Sequence, residues 1–273
     1  MAESFHSLHA NVYDRMASGA TISIGAIAID TLPLPITPSS YILDNSCGTG
    51  LVSAYIKERF PFAKIKGTDI APGSIGIFNK RVQEGKWEGV DAEVLDCREL
   101  KTLGDGTFSH VVTNFGFAPQ PDDDTGRVRA AAEMWRVLRP GGVAVVTTWA
   151  KRNFDDAFEA ACRRIRPDEK PYSWKSTSGW DKGWWLMQHL EEAGFGHQVE
   201  VRSVKGKLSA GSLEELVGNW MLLKGMFFKH YKEDELKRLP AVLAEEARKL
   251  PAFKETKEGV EIETVAWIGV GTK

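Results

Sequence analysis

The stretch that decides the fold is Tyr41-Ile-Leu-Asp-Asn-Ser-Cys-Gly-Thr-Gly50, which joins an apolar strand to a turn with two glycines. The apolar residues end at Asp44, and a helical pattern follows from 51 to 59. Because glycine has no Cβ, Gly48 and Gly50 allow the backbone to contact a ligand. The first turn of the helix offers unpaired N–H groups to that ligand. The segment therefore predicts a nucleotide-sized site near the start of an α/β sheet.

Strand and helix patterns alternate on either side of this turn. The strand patterns fall at 42–45, 64–69, 92–96, 110–114, 143–149, 198–204 and 261–270. Helical patterns separate most of them, and such alternation predicts a parallel sheet with helices on both faces. We therefore predict an α/β, Rossmann-like fold with a seven-stranded, mostly parallel sheet.

Two helical patterns interrupt the last two strands of this sheet. The first begins with the capping-box pattern Ser212-Leu-Glu-Glu215 and runs to about Tyr231, and the second is highly charged. We predict that they form a helical cap insertion over the carboxyl edge of the sheet, where ligands bind in open α/β folds. The prediction is a single domain, 1–273, with an N-terminal helical lid (1–40), a cofactor-binding core (41–150), a substrate-side segment (151–206), the cap (207–255) and the last strand (256–273).

The composition limits the partners of the chain. It has 273 residues with 35 basic and 37 acidic side chains, so no basic surplus favours nucleic acid or an anionic membrane. Three widely spaced cysteines fit a reducing compartment better than a disulfide framework or a zinc site. The N-terminus has no signal-peptide pattern, and the apolar run 22–29 is too short to span a membrane. We expect a cytoplasmic protein without a nucleic-acid or membrane partner.

The glycine turn departs from two common nucleotide motifs. A dinucleotide fingerprint needs a third glycine where this chain has Ser53, and a P-loop needs a Gly-Lys-Ser/Thr sequence that is missing here. Acidic residues instead stand at or near the ends of the first three strands, at Asp44, Asp69 and Asp96. Their negative charge disfavours a pyrophosphate and favours a cationic ligand.

These motifs, in this order, resemble the class I S-adenosylmethionine-dependent methyltransferases over roughly residues 40–150. The turn Leu138-Arg-Pro-Gly-Gly142 before the fifth strand is also similar to that family. S-adenosylmethionine has an ammonium and a sulfonium but no phosphate, which agrees with the three acids. The resemblance implies that this cofactor is bound by Asp44, Gly48, Gly50, Asp69, Ile70, Asp96, Cys97, Asn114 and Phe115.

Looser motifs resemble the small-molecule methyltransferases of fungal secondary metabolism. They include Asn114-Phe-Gly-Phe117, Thr147-Thr-Trp149, Gly179-Trp-Asp181 and the terminal segment 265–273. This resemblance implies methyl transfer to O, N or S of a hydrophobic small molecule, with Tyr13 in a segment that folds over the cofactor. Alternatives are a methyltransferase-like protein that uses the cofactor for a rearrangement or cyclisation, a scaffold with a degenerate site, and a nicotinamide oxidoreductase.

The sequence assigns no catalytic base and no metal. Six histidines are candidates for a base, but each is better explained as a structural or surface residue. The run Asp122-Asp-Asp124 is best explained as a charged helix start rather than a metal site. The aromatic residues at 174–185 and 220–228 could form either core or a substrate pocket. Their apolar surface is compatible with a monomer or a homodimer.

Overall fold

The computed structural model describes residues 10, 12–15, 17, 19–117, 126–171, 179–222 and 224–273. The strands are β1 Tyr41–Asn45, β2 Lys64–Asp69, β3 Val90–Val94, β4 Phe108–Asn114, β5 Leu138–Lys151, β6 Val199–Ala210, β7 Phe253–Thr256 and β8 Gly259–Thr272. The helices are α1 Ala20–Asp30, α2 Leu51–Arg59, α3 Pro72–Gly85, α4 Gly126–Val137, α5 Asp155–Ile165, α6 Gly183–Leu190, α7 Leu213–Met221, α8 Lys224–Phe227 and α9 Glu233–Arg248, and a π-helical turn, Glu191–Phe195, follows α6.

The strands form one sheet in the order β3-β2-β1-β4-β5-β8-β6, with β7 paired to β8. Strands β1 to β5 are parallel, and β8 runs antiparallel between β5 and β6. The α/β fold with a mostly parallel sheet and helices on both sides is therefore confirmed. The short strand β7 was not predicted, and it brings the described sheet to eight strands.

The helices of the 207–255 segment pack where β6 and β8 extend beyond β5. Val265 of β8 pairs with Lys151 at the end of β5, and residues 259–264 continue past it to pair with β6 and β7. Trp220 and Phe228 are 2% and 1% exposed there, and both pack with Phe158 of α5. These two aromatic side chains therefore belong to the core of the protein and do not line a substrate pocket.

Several element boundaries differ from the sequence prediction, and three of these differences change how the segment is interpreted. Strand β3 ends at Val94, so Asp96 lies beyond the strand. The predicted helix 212–231 is two helices, α7 and α8, although Ser212 does cap the first by accepting a hydrogen bond from Glu215 N. The Arg139-Pro-Gly-Gly142 turn is a bulge inside β5, where Gly141 has a φ of 74° and the pairing register shifts. Short irregularities of this kind leave little trace in hydrophobic periodicity.

Of the tryptophans at 174–185, Trp174 lies outside the described residues. Trp185 is 3% exposed and belongs to the core, whereas Trp184 is 60% exposed. In the described part of the chain, no helix combines the length and the apolar character needed to cross a membrane.

Candidate functional site

A cavity of about 200 Å³ opens at the carboxyl ends of β1, β2 and β4. It brings together nearly all of the predicted site residues, namely Tyr13, Asp44, Gly48, Asp69, Ile70, Asp96, Cys97, Asn114 and Phe115. Parallel strands end at the same edge of a sheet, so residues far apart in sequence meet there. Gly50 is the exception, since it lies outside the lining of the cavity.

Asp44 is the most buried of the acids, at 1% exposure. Its Oδ2 accepts hydrogen bonds from Ser53 N and Ser53 Oγ at 3.2 and 2.6 Å. Burial raises the pKa of this carboxyl to about 7, although the two bonds from Ser53 oppose the rise. Ser53 stands where a dinucleotide motif has its third glycine. In this chain it is therefore the hydrogen-bond partner of Asp44.

Asp69 ties the glycine turn to the end of β2. Its Oδ2 accepts a hydrogen bond from Gly48 N at 2.9 Å, and its Oδ1 accepts one from Ala71 N at 2.9 Å. The carboxylate also lines the cavity. Asp69 therefore shapes the turn and presents negative charge to the same space.

Asp96 does not present a free negative charge. Arg98 donates to both of its carboxylate oxygens, with Nε at 2.9 Å from Oδ1 and 3.0 Å from Oδ2. The guanidinium of Arg98 lowers the pKa of Asp96, and it lines the cavity as well. Because the pKa of Asp44 is near 7 and Asp96 is paired with Arg98, the negative charge of the cavity is smaller than the sequence suggested.

The two glycines of the turn have different roles. Both have positive φ, 56° for Gly48 and 88° for Gly50. A Cβ on Gly48 would meet no atom within 4 Å, so this position faces open space in the cavity. A Cβ on Gly50 would lie 2.5 Å from Cδ2 of Phe78, which is fully buried. Gly48 therefore leaves room for a ligand, whereas Gly50 leaves room for the core.

This difference predicts separable effects of the two alanine variants. We expect Gly50→Ala to lower the free energy of unfolding by about 2–4 kcal/mol, because it adds an overpacked methyl to a left-handed backbone. Gly48→Ala should cost only about 1 kcal/mol, from the backbone alone. Urea unfolding followed by circular dichroism measures both. Equal losses of unfolding free energy in the two variants would show that Gly48 and Gly50 do not differ in their roles.

Apolar residues also line the cavity. Ile70 is 60% exposed, and Phe115 stacks on Trp149 with ring centroids 4.0 Å apart. Phe115 has a φ of 57°, an uncommon conformation for an aromatic residue, and its N–H donates to Thr147 Oγ1 at 3.0 Å. Such strain at a strand end is typical of functional sites, where the surrounding structure holds it in place.

Asn114 joins the cavity to the helix that precedes β1. Its Nδ2 donates to Thr21 O of α1 at 3.2 Å, and its Oδ1 accepts from Thr147 Oγ1 at 2.8 Å. The nitrogen and the oxygen of the Asn114 amide are thus both hydrogen-bonded within the protein. The cysteines of the cavity, Cys47 and Cys97, have thiol pKa values raised chiefly by burial, which disfavours the reactive thiolate.

The N-terminal segment is held over the glycine turn by Asp14. Its Oδ1 accepts from Thr49 Oγ1 at 2.5 Å, and its Oδ2 accepts from Arg81 of α3 at 2.6 Å. Arg81 Nε also donates to Thr49 O at 3.1 Å. The neighbouring Tyr13 lines the cavity, and burial raises the pKa of its hydroxyl. Asp14 therefore fastens the segment that carries Tyr13.

Removing Asp14 should loosen this segment and leave the rest of the fold intact. We expect Asp14→Ala to speed amide hydrogen exchange at residues 12–15 about tenfold, with less than about 1 kcal/mol lost in global stability, because the ion pair is partly exposed. Asp30→Ala breaks a comparable ion pair with Arg59 and serves as the control. Unchanged exchange at 12–15 in Asp14→Ala would show that other contacts hold the segment.

Sequence reasoning missed several residues of the cavity, including Thr21, Ser46, Arg98 and Arg127. Ser46 has a φ of 58°, and its Cβ would lie 2.3 Å from a Cβ on Gly116, so the turns after β1 and β4 pack directly together. Such contacts between distant segments have no local sequence signal. Arg127 does have a local sequence signal, because it stands near the start of a predicted helix, where a positive charge is unfavourable.

No histidine of the described residues lines the cavity. His110 is fully buried between Ser109 Oγ and Leu34 O, which confirms its structural role. His6 and His9 lie outside the described residues, as does the run Asp122-Asp-Asp124. In the residues that the structure does describe, no group of three potential ligands could hold a metal ion.

Comparison with known proteins finds a methyltransferase domain in part of the chain. Residues 42–142 match the family described as a methyltransferase domain. The chain is 26% identical to methyltransferase tpcH of Aspergillus fumigatus, over 60% of each chain. It is 26% identical to methyltransferase ucsB of an Acremonium species, over 88% of this chain and 86% of that protein. The YcgJ protein of Bacillus subtilis shares the fold, with a TM-score of 0.54, 18% identity, and coverage of 91% of this chain and 97% of that one.

The part of the chain that carries the glycine turn and its acids is thus the part that matches the methyltransferase domain. Its relatives include fungal proteins named methyltransferases, the group that the looser motifs resemble. The chain spans about three fifths of the length of two Aspergillus relatives. It covers 60% of methyltransferase tpcH and 62% of the acetylaranotin bis-thiomethyltransferase of Aspergillus terreus.

Proposed function

We propose that the cavity binds S-adenosylmethionine and that the protein transfers its methyl group to O, N or S of a hydrophobic small molecule in secondary metabolism. One observation carries this proposal. Gly48 of the turn and the acids at or near the ends of three neighbouring strands line a single cavity in a chain with a methyltransferase domain. Binding of this cofactor to these particular residues is part of the proposal.

The chemistry of the cavity fits the cofactor. Gly48 leaves open space next to the turn, and Asp69 presents a carboxylate there. We assign the ribose hydroxyls to Asp69 and the ammonium end of the cofactor to Asp44 and the glycine turn. Exposed Ile70 and the Phe115 ring offer apolar contacts for the adenine. When bound, the cofactor supplies an electrophilic methyl group on a sulfonium.

The residues around the cavity orient the methyl acceptor and the cofactor relative to each other. Transfer of a methyl group requires the acceptor atom to lie in line with the bond that breaks, in a site from which water is excluded. Phe115 and Phe117 line the cavity at the end of β4, and Asp14 holds the N-terminal segment over the turn. These elements would enclose the reactants. The group that removes the acceptor's proton stays unassigned.

The relatives favour methyl transfer over the alternatives. The two curated relatives quoted above, tpcH and ucsB, are both named methyltransferases. The absent third glycine, replaced by the Ser53 that binds Asp44, does not favour a nicotinamide cofactor. We further propose a cytoplasmic enzyme that acts as a monomer or a homodimer, without a nucleic-acid or membrane partner.

The test is formation of S-adenosylhomocysteine. The protein is incubated with S-adenosylmethionine and a panel of phenols, thiols, amines and carboxylic acids, and product formation is followed by mass spectrometry. We expect a methylated acceptor in equimolar amount with S-adenosylhomocysteine. An isomerised or cyclised product without S-adenosylhomocysteine would support the rearrangement instead.

A further inference from the structure

The cavity contains an arginine for which the described residues provide no acidic partner. Arg127 lines the cavity, and within the part of the chain that the structure describes its buried Nε has no hydrogen-bond partner. Arg98, the other arginine of the lining, is instead paired with Asp96. A buried N–H group without an acceptor destabilises the folded state, so native proteins rarely leave one unpaired.

The position of Arg127 makes this arrangement more costly still. It is the second residue of helix α4, which starts at Gly126. The N-terminus of a helix carries a partial positive charge, so a cation there is disfavoured and an anion is favoured. The guanidinium and the helix end together create a positive potential on this side of the cavity, which a negatively charged ligand would neutralise.

The surroundings of Arg127 add an apolar surface to this cation. Its guanidinium lies 5.2 Å from the centre of the Trp185 ring, and Phe117 meets the same tryptophan edge-on at 5.9 Å. Phe117 also lines the cavity. A fixed guanidinium beside aromatic rings is suited to a ligand that combines an oxyanion with an apolar body.

The acceptor is the better candidate for this ligand than the cofactor. The acids assigned to the cofactor, Asp44 and Asp69, lie at the ends of β1 and β2, whereas Arg127 lies on α4, which comes after β4 in the chain. The cofactor's own carboxylate would find backbone N–H donors at the start of α2, beside the glycine turn. We propose that Arg127 binds an oxyanion of the methyl acceptor, so that the acceptors are hydrophobic acids such as aromatic carboxylic acids, phenols or enols. This inference rests on the proposed function.

Calorimetric titration with a matched pair of probes tests the inference. The protein, saturated with S-adenosylhomocysteine, is titrated with 1-naphthoate and with the neutral 1-naphthalenemethanol. We expect the wild-type protein to bind the acid at least about tenfold more tightly, as a charge-assisted contact of 1.5–3 kcal/mol implies. Arg127→Met should remove the preference, Arg127→Lys should keep part of it, and Arg129→Met, an exposed position on the same helix, should retain it.

Three results would overturn the inference. The first is an equal preference for the acid in wild type and Arg127→Met, and the second is no preference in the wild type. The third is a loss of affinity for S-adenosylhomocysteine in Arg127→Met that is absent with its decarboxylated analogue, which would assign Arg127 to the cofactor. Binding of S-adenosylhomocysteine to the wild-type protein is measured first, so failure of the proposed function is recognised separately.

Discussion

Asp69→Ala is expected to lower the affinity for S-adenosylhomocysteine by about 100-fold or more. The substitution removes the carboxylate proposed to bind the ribose, and it also frees Gly48 N and Ala71 N, which hold the turn in place. Hydrogen bonds to a charged group contribute about 1.5–3 kcal/mol each, and two of them account for this loss. Calorimetric titration measures the affinity directly.

Asp91→Ala is the matched control for this variant. Asp91 lies on β3 and pairs with Lys66, its side chain is 63% exposed, and it does not line the cavity. We expect its affinity for S-adenosylhomocysteine to equal that of the wild type. If Asp69→Ala folds normally by circular dichroism and binds as tightly as Asp91→Ala, Asp69 has no part in the site.

Asp44→Asn is expected to stabilise the fold while weakening the site. The folded protein raises the pKa of Asp44 from 3.8 to about 7, so the folded state binds a proton that the unfolded chain releases. From this group alone, the free energy of unfolding falls as pH rises from about 4 to 7 and is constant above that. The pKa rises by about three units, and each unit corresponds to about 1.36 kcal/mol, so the loss in the free energy of unfolding is at most about 4 kcal/mol. Asparagine avoids the loss and keeps an acceptor for Ser53.

The stability gain of Asp44→Asn should therefore depend on pH. We expect little gain at pH 4.5 and about 1–3 kcal/mol at pH 8, measured by urea unfolding at both values. Ser53→Ala is the companion variant, because it removes the hydroxyl that donates to Asp44 and should destabilise the ionised form. A gain for Asp44→Asn that is the same at both pH values would contradict the raised pKa.

The affinity for S-adenosylhomocysteine should increase as pH rises, whereas the contribution of Asp44 to the free energy of unfolding decreases. A cationic ammonium favours the ionised carboxylate, so binding of S-adenosylhomocysteine to the wild type should strengthen as pH rises through about 7. Asp44→Asn should bind about tenfold or more weakly at pH 8 and lack this pH dependence. Affinity that is constant between pH 6 and 8 in the wild type would mean that the ammonium does not lie near Asp44.

The sequence predicted the fold and the positions of the acids because both have local signals. Strand patterns alternate with helix patterns, and each acid stands at or just after the end of a strand, where the topology of the sheet brings them together. The pairing of Asp96 with Arg98 is also local, yet its consequence for the charge of the site became evident only from the hydrogen bonds.

The remaining features depend on contacts between distant segments. The Asp14–Arg81 pair joins residues 67 positions apart, and the packing of Phe78 against Gly50 depends on how α3 lies on the turn. Neither has a periodic pattern in the sequence. The tryptophans and phenylalanines at 220–228 were ambiguous for the same reason, since an apolar stripe looks alike in a core and in a pocket.

The most direct test of the account is a pair of calorimetric titrations of the wild-type protein, one with S-adenosylhomocysteine and one with NAD. The Gly48 turn, its Asp69 contact and the Ser53–Asp44 bond predict one site per chain with micromolar affinity for S-adenosylhomocysteine, and no heat of binding with NAD. No binding of S-adenosylhomocysteine at millimolar concentration, or tighter binding of NAD, would contradict the central claim.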